Sequence, residues 1–508
     1  MDTGTAVAGK VSFTSEILNK TYGRMKRIPV TIICCLAGLL LSAPVGAQTP
    51  ACKLDVTIHG FEGKQVYLGY RRADKIYSRD TLDLSDNGRF VFQSDTLIPP
   101  GIYLILMPPD NKYFEFVVTH AEQVFSVETT APDFYQQLRF EGSKDNNLLR
   151  EYQRYMSDQV SFSKDLQQQQ QQEEDADRKI VLEERIDSIA KVVRLWQETF
   201  VRDHPGTYTA KLVSAFMEPE IPEPPVLEDG TVDENFRFRY YRQHFWDGFD
   251  LSEAAFVNSP YLKEKMDRYL DKLTVQLPDS VIQAVDFILT RAQANQDVFR
   301  YSLPYLLNRY YTPTIMGLDA VYVHLAEKYY KSGIADWVTP ESLKKISDDA
   351  FMIKGVLLGK QAPNVRVQRF DPAQDVFTQD LVSPYDIDAE YTLVFIWKPG
   401  CGHCKKLTEE LKPFYAEWKD KGVEIFSITS ANASELDAAV KDIHEKQMPW
   451  IITADPYNRA RALQNYYGIS LPKLYLLDKD KKIIGNRLGV PQLPEIIRNH
   501  RQSADESE

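Results

Sequence analysis

The chain has 508 residues, 43% of them hydrophobic, with 60 Lys and Arg against 72 Asp and Glu for a net charge of −12. At roughly 100 to 200 residues per domain, that length supports about three folded units. No basic block is present to track a phosphate backbone, so no nucleic-acid partner is expected, and five cysteines (Cys34, Cys35, Cys52, Cys401, Cys404) are too few for a disulfide framework.

Residues 1–24 are polar, carry no targeting pattern and read as an upstream extension, with the natural start at Met25. Met25-Lys26-Arg27 precedes an apolar run from Ile28 to Leu41, followed by small residues up to Ala47. Residues 25–47 therefore read as a secretory signal cleaved after Ala47, since the run is shorter than the ~20 residues that span a bilayer. Thr49-Pro50-Ala51 lacks the aliphatic residue that a lipoprotein signal places before its cysteine. Cys52 then reads as a spare thiol on a flexible leader, with no lipid anchor.

Over residues 53–141 apolar residues alternate, as in Leu54, Val56 and Ile58, in Val66, Leu68 and Tyr70, and in Phe90 and Phe92 after an Asn87-Gly88 turn. A period of two with turn residues between the runs predicts an all-β domain, a small antiparallel sandwich or barrel. From Gly142 the period changes, and 142–355 reads as a mostly α-helical domain. Two long helices are expected between Asn147 and Phe200, where no proline or glycine interrupts helical spacing. The tract Gln167–Gln172 reads as a solvated helix face, and Pro219–Pro225 as a linker. Five helical patterns follow, over 260–275, 280–293, 301–311, 317–330 and 340–358. Tyr310-Tyr311 and Tyr329-Tyr330 fall at helical spacing and read as core, and His324 as structural.

Residues 356–508 read as a C-terminal α/β domain. Thr392–Trp397 is a continuous apolar run of the kind buried on both faces of a central strand. It ends in Lys398-Pro399-Gly400-Cys401-Gly402-His403-Cys404-Lys405-Lys406, and helical spacing (Leu407, Leu411, Phe414, Trp418) begins at once. The cysteines thus sit at a strand-to-helix junction. Exposed N–H groups and the positive end of the helix dipole stabilise a thiolate there, which makes Cys401 the expected nucleophile. Cys404, in the first helical turn, is placed to resolve a mixed disulfide. His403, Lys405 and Lys406 add positive charge, and Gly402-His403 favours an oxidising poise. A zinc site is the competing reading of a Cys-x-x-Cys pair, but the mature chain offers only one further cysteine, so neither metal nor cofactor is expected beyond the Cys401–Cys404 redox pair.

On these residues the segment from about 356 to 508 resembles the thioredoxin superfamily, and within it the TlpA/ResA-like exported thiol-disulfide oxidoreductases of Gram-negative envelopes. Trp397-Lys398-Pro399-Gly400-Cys401-Gly402-His403-Cys404-Lys405 matches the signature, and Tyr467 to Asp478 resembles the segment that carries a cis-proline. The resemblance implies that Pro472 faces the cysteines, that Leu471 offers a substrate edge, and that Trp397, Pro399, Gly402, His403 and Lys405 tune the site. Strands at 423–428 and 481–485 and helices at 434–445, 456–467 and 493–501 complete the expected order. Three residues depart from the pattern: Phe395 replaces a buried aspartate, Leu471 replaces threonine or valine, and the helix proline, Pro413, comes late. Phe245–Leu251 and Gly317–Ala326 resemble domains of unknown function that precede such domains in exported proteins.

The resulting expectation is a periplasmic or envelope enzyme that reduces or exchanges disulfides in exported proteins, fed by a membrane electron donor if it is a reductase. The alternative is an envelope binding or assembly protein in which the thioredoxin-like domain is scaffold.

Overall fold

The computed structural model describes residues 50–468 and 470–505. The expected extension and signal segment lie outside them. The described chain has the three-part architecture expected: a β sandwich, a helical middle and an α/β sheet.

The sandwich contains β1 (Cys52–His59), β2 (Gln65–Arg72), β3 (Lys75–Asp83), β4 (Arg89–Ser94), β5 (Gly101–Met107), β6 (Lys112–Val118), β7 (Val124–Thr130) and β8 (Arg139–Glu141). They form two four-stranded sheets, ordered β4-β1-β7-β8 and β3-β2-β5-β6. Side chains such as Leu54, Val56, Phe114 and Phe116 fill the space between them. Two expectations need correction. The sandwich is not wholly antiparallel, because β1 pairs parallel with β7. The five strands between them form the long crossover that parallel pairing needs, and apolar alternation carries no sign of strand direction. Nor does Cys52 lie on a leader: it opens β1, is 0% exposed and continues the buried series of Leu54, Val56 and Ile58.

Burial pushes the Cys52 thiol above its ordinary range, with Arg79 opposing. Cys52→Ser places a hydroxyl there without an evident partner and is expected to destabilise the sandwich by about 1 to 3 kcal/mol. Cys52→Ala should cost less, and thermal melts of the two variants compare them directly. A serine variant that melts with the parent would return Cys52 to the surface.

The middle region holds α1 (Lys144–Gln172), α2 (Ala176–Asp203), α3 (Tyr208–Phe216), α4 (Phe236–His244), α5 (Tyr261–Lys272), α6 (Pro278–Ala292), α7 (Gln296–Tyr311), α8 (Asp319–Leu325) and α9 (Pro340–Lys354). The two long helices are present, and buried Tyr310, Tyr329 and Tyr330 are core. His324 binds Asp286 at 2.9 Å, beside Lys328 and Tyr329, which bind the same carboxylate. The sandwich is tied to α1 by Asn146, whose amide accepts from Val117 N–H and donates to Val117 C=O, both at 2.8 Å.

The C-terminal region contains β9 (Val367–Asp371), β10 (Val376–Val382), β11 (Tyr391–Trp397), α10 (Gly402–Trp418), β12 (Val423–Thr429), α11 (Leu436–Lys446), β13 (Ile451–Ala454), α12 (Ala462–Asn465), β14 (Lys473–Leu477), β15 (Ile483–Asn486) and α13 (Leu493–Asp505). Its seven-stranded sheet is ordered β10-β9-β13-β12-β11-β14-β15. The helix expected over 456–467 is only α12. The Asp455 carboxylate accepts N–H bonds from Arg459, Ala460 and Ala462, which holds the preceding residues in a turn.

Every residue of β11 is buried, but its two faces meet different cores. Leu393, Phe395 and Trp397 pack with α10, α11 and α13. Val394 and Ile396 join a cluster that runs through the helical region to Val281, Leu306 and Phe256. The helical region therefore roofs the second face of the sheet.

Candidate active site

β11 delivers the chain to a tight turn at its C-terminal end. Gly400 has φ of +71°, a left-handed conformation that glycine adopts without a Cβ clash. Cys401 is the N-cap of the 17-residue α10, and its Sγ accepts the Cys404 N–H at 3.2 Å. That bond and the helix dipole both favour negative charge on Cys401 sulfur. Both cysteines are free thiols, Cys401 partly exposed and Cys404 0% exposed. Burial pushes the Cys404 thiol up to about 12, and the contact with Cys401 pushes the same way. The Lys398 backbone and the Lys446 ammonium oppose them.

Around this pair the expected residues separate. His403 is exposed, and with Leu471 and Pro472 it lines a groove of about 470 Å³. The Leu471–Pro472 peptide is cis, as the resemblance implied. Gly402 and Lys405 are exposed on the first turn of α10, outside the groove lining, and Pro399 is half-buried in the turn. Trp397 is 0% exposed. Phe395, at the position of the missing aspartate, is likewise fully buried. Pro413 lies inside α10 without ending it.

Sequence reading missed one element of the site. Asp442 of α11 accepts the Gly400 N–H at 2.9 Å and pairs with Lys446. Lys446 is only 4% exposed, and its ammonium lies 5.3 Å from the Trp397 ring centre. A buried ion pair thus anchors the turn that presents Cys401 and sets a cation near Cys404. The signal was available: Ala439, Asp442, Ile443 and Lys446 follow the spacing of one buried helix face, on which two charges are unexpected.

Among the described residues no group of three or more His, Cys, Asp or Glu could hold a metal, and no helix is long and apolar enough to cross a membrane.

Residues 358–485 match the AhpC/TSA family. Over this region the chain carries a thioredoxin-like domain, and it is an oxidoreductase. Two domains of unknown function match ahead of it in this oxidoreductase, DUF4369 over residues 52–149 and DUF5106 over residues 164–351. Similar curated proteins include the thiol-disulfide oxidoreductase ResA of Bacillus thuringiensis and that of Bacillus anthracis, each 26% identical over 134 residues. Each of these alignments covers 26% of the present oxidoreductase and 70% of the relative. Among solved structures, a thioredoxin-like protein from Bacteroides caccae aligns over 56% of this chain and 99% of its own, with a TM-score of 0.45 and 20% identity. A domain of a possible thiol-disulfide isomerase from Cytophaga hutchinsonii aligns over 30% and 97% respectively, with a TM-score of 0.26 and 28% identity.

Proposed function

We propose that the chain is an exported thiol-disulfide oxidoreductase that works through Cys401 and Cys404 on disulfide-bearing or oxidised proteins of the cell envelope. The observation that carries this reading is the unequal placement of the two thiols: Cys401 partly exposed at a helix N-cap, Cys404 buried behind it. In the reducing direction the Cys401 thiolate attacks a substrate disulfide, the substrate S–S bond breaks, and one substrate thiolate leaves. Cys404 then loses its proton and attacks the Cys401 sulfur, which releases the second substrate thiolate and leaves a Cys401–Cys404 disulfide. Two electrons pass to the substrate. A dithiol donor, in this reading a membrane protein, resets the pair, and no other cofactor enters. Cys52, buried in the sandwich core, takes no part.

The reduced protein, mixed with a peptide disulfide, is expected to lose two thiols per chain, with mass mapping placing the new disulfide at Cys401–Cys404. Thiol loss elsewhere, or none, would sink the proposal. Alkylation in growing cells then gives the direction of electron flow. A mostly reduced pair in an oxidising compartment means a dedicated donor, and a mostly oxidised pair means an oxidase or an idle site.

A further inference from the structure

The groove lined by His403, two residues after Cys401, has a charge opposite to that of the chain as a whole. Its lining includes Lys406, Lys473 and Arg487 together with His403, and a single carboxylate, Glu410. Two of the three cations have internal partners. Lys406 lies 3.9 Å from Glu410, and Arg487 is held by the Asp319 carboxylate of α8 at 3.5 Å and the Tyr311 carbonyl at 3.1 Å.

Lys473 differs from both. It follows the cis-proline directly, is half-buried, and has neither an ion pair nor a hydrogen bond to its ammonium among the described residues. The ring of Tyr467 lies 5.4 Å from its Nζ. Burial and the nearby Arg487 pull this ammonium down to about 8, with Asp319 opposing. A desolvated cation without a counter-ion is costly, and an incoming carboxylate offsets that cost. Next to it, the Leu471 N–H and C=O have no partner among the described residues, so an extended segment can pair there while its side chains enter the groove.

We propose that this groove selects an extended segment of the oxidised partner that carries an acidic side chain next to its disulfide cysteine, with the carboxylate seated on Lys473. The proposal rests on the reading of Cys401 as the attacking thiol.

The test uses the full-length reduced protein and three peptide disulfides that differ only in a Glu, Gln or Lys beside the cysteine, with uncharged hydroxyethyl disulfide as a fourth substrate. The Glu peptide is expected to react about tenfold faster than the Gln peptide in kcat/KM, and the Lys peptide slowest, on the scale of one partly desolvated ion pair. In Lys473→Gln the Glu-to-Gln ratio should fall towards one, and Lys473→Arg should restore it. Equal rates on all three peptides overturn the inference, and so does a Glu preference that survives Lys473→Gln but is lost in Lys406→Gln. Failure to react even with hydroxyethyl disulfide overturns the oxidoreductase reading instead.

Discussion

Cys404→Ala is expected to leave the protein covalently joined to its substrates through Cys401, whereas Cys401→Ala is expected to show no exchange at all. Both outcomes follow from exposure. A partner's sulfur can approach Cys401, which is partly open at the end of α10, but Cys404 is 0% exposed and meets only a sulfur already delivered to Cys401. Without Cys404 the mixed disulfide has no internal route to collapse, and its lifetime should lengthen to the minutes or hours of uncatalysed rearrangement. Reductant-sensitive species of higher mass on non-reducing gels should therefore appear in Cys404→Ala and be absent from Cys401→Ala. Equal activity of the two variants would remove the division of labour between the thiols.

A second large effect is expected at Lys446. The Cys404 thiol must shed its proton to resolve the mixed disulfide, yet burial pushes it above the ordinary thiol range. The Lys446 ammonium acts against that burial, since an opposite charge nearby favours the thiolate. Lys446→Met should raise the Cys404 thiol further and slow resolution by roughly twofold to fivefold at neutral pH, with the rate still climbing at alkaline pH where the parent has begun to level. The initial attack by Cys401 should change less. Because Lys446 also partners Asp442, which holds Gly400, loss of packing could slow both steps. Lys446→Arg separates the two effects: restored charge should recover resolution. Single-turnover traces that resolve mixed-disulfide formation from its decay supply the measurement. An unchanged decay rate and pH profile would show the cation to be a structural prop.

The strand-to-helix junction that carries Cys401 was legible in the sequence because its signals are local. An unbroken apolar run, a glycine turn and helical spacing from Leu407 place Cys401 at a strand-to-helix junction without long-range information, and β11 and α10 fall there. Features that depend on distant pairing were not legible. β3 is exposed along almost its whole length and shows no apolar alternation, since it is an edge strand held by β2 on one side. The place of Cys52 near the expected cleavage site masks its place in the buried series with Leu54. Asp442 and Lys446 stood on a buried face in plain view, but a charge pair in a helix is usually solvated, and only the approach of Gly400 gives it a task. The groove required Lys473, Arg487 and His403 to meet from three segments, which no spacing encodes.

The double-faced burial of β11 also bears on how such a protein can change over generations. If a genetic exchange moved residues 356–508 beside an unrelated partner, Val394, Ile396, Phe426 and Tyr475 would lose the helical roof they share with α6 to α9. At roughly 1.5 to 3 kcal/mol for each large apolar side chain left in water, that loss is comparable to the net stability of a whole domain. Recombination that cuts between the roof and the sheet is therefore penalised at once, before any question of catalysis arises. In this chain the helical layer and the sheet share one core, so change costs least at the rim of the groove and in the loops.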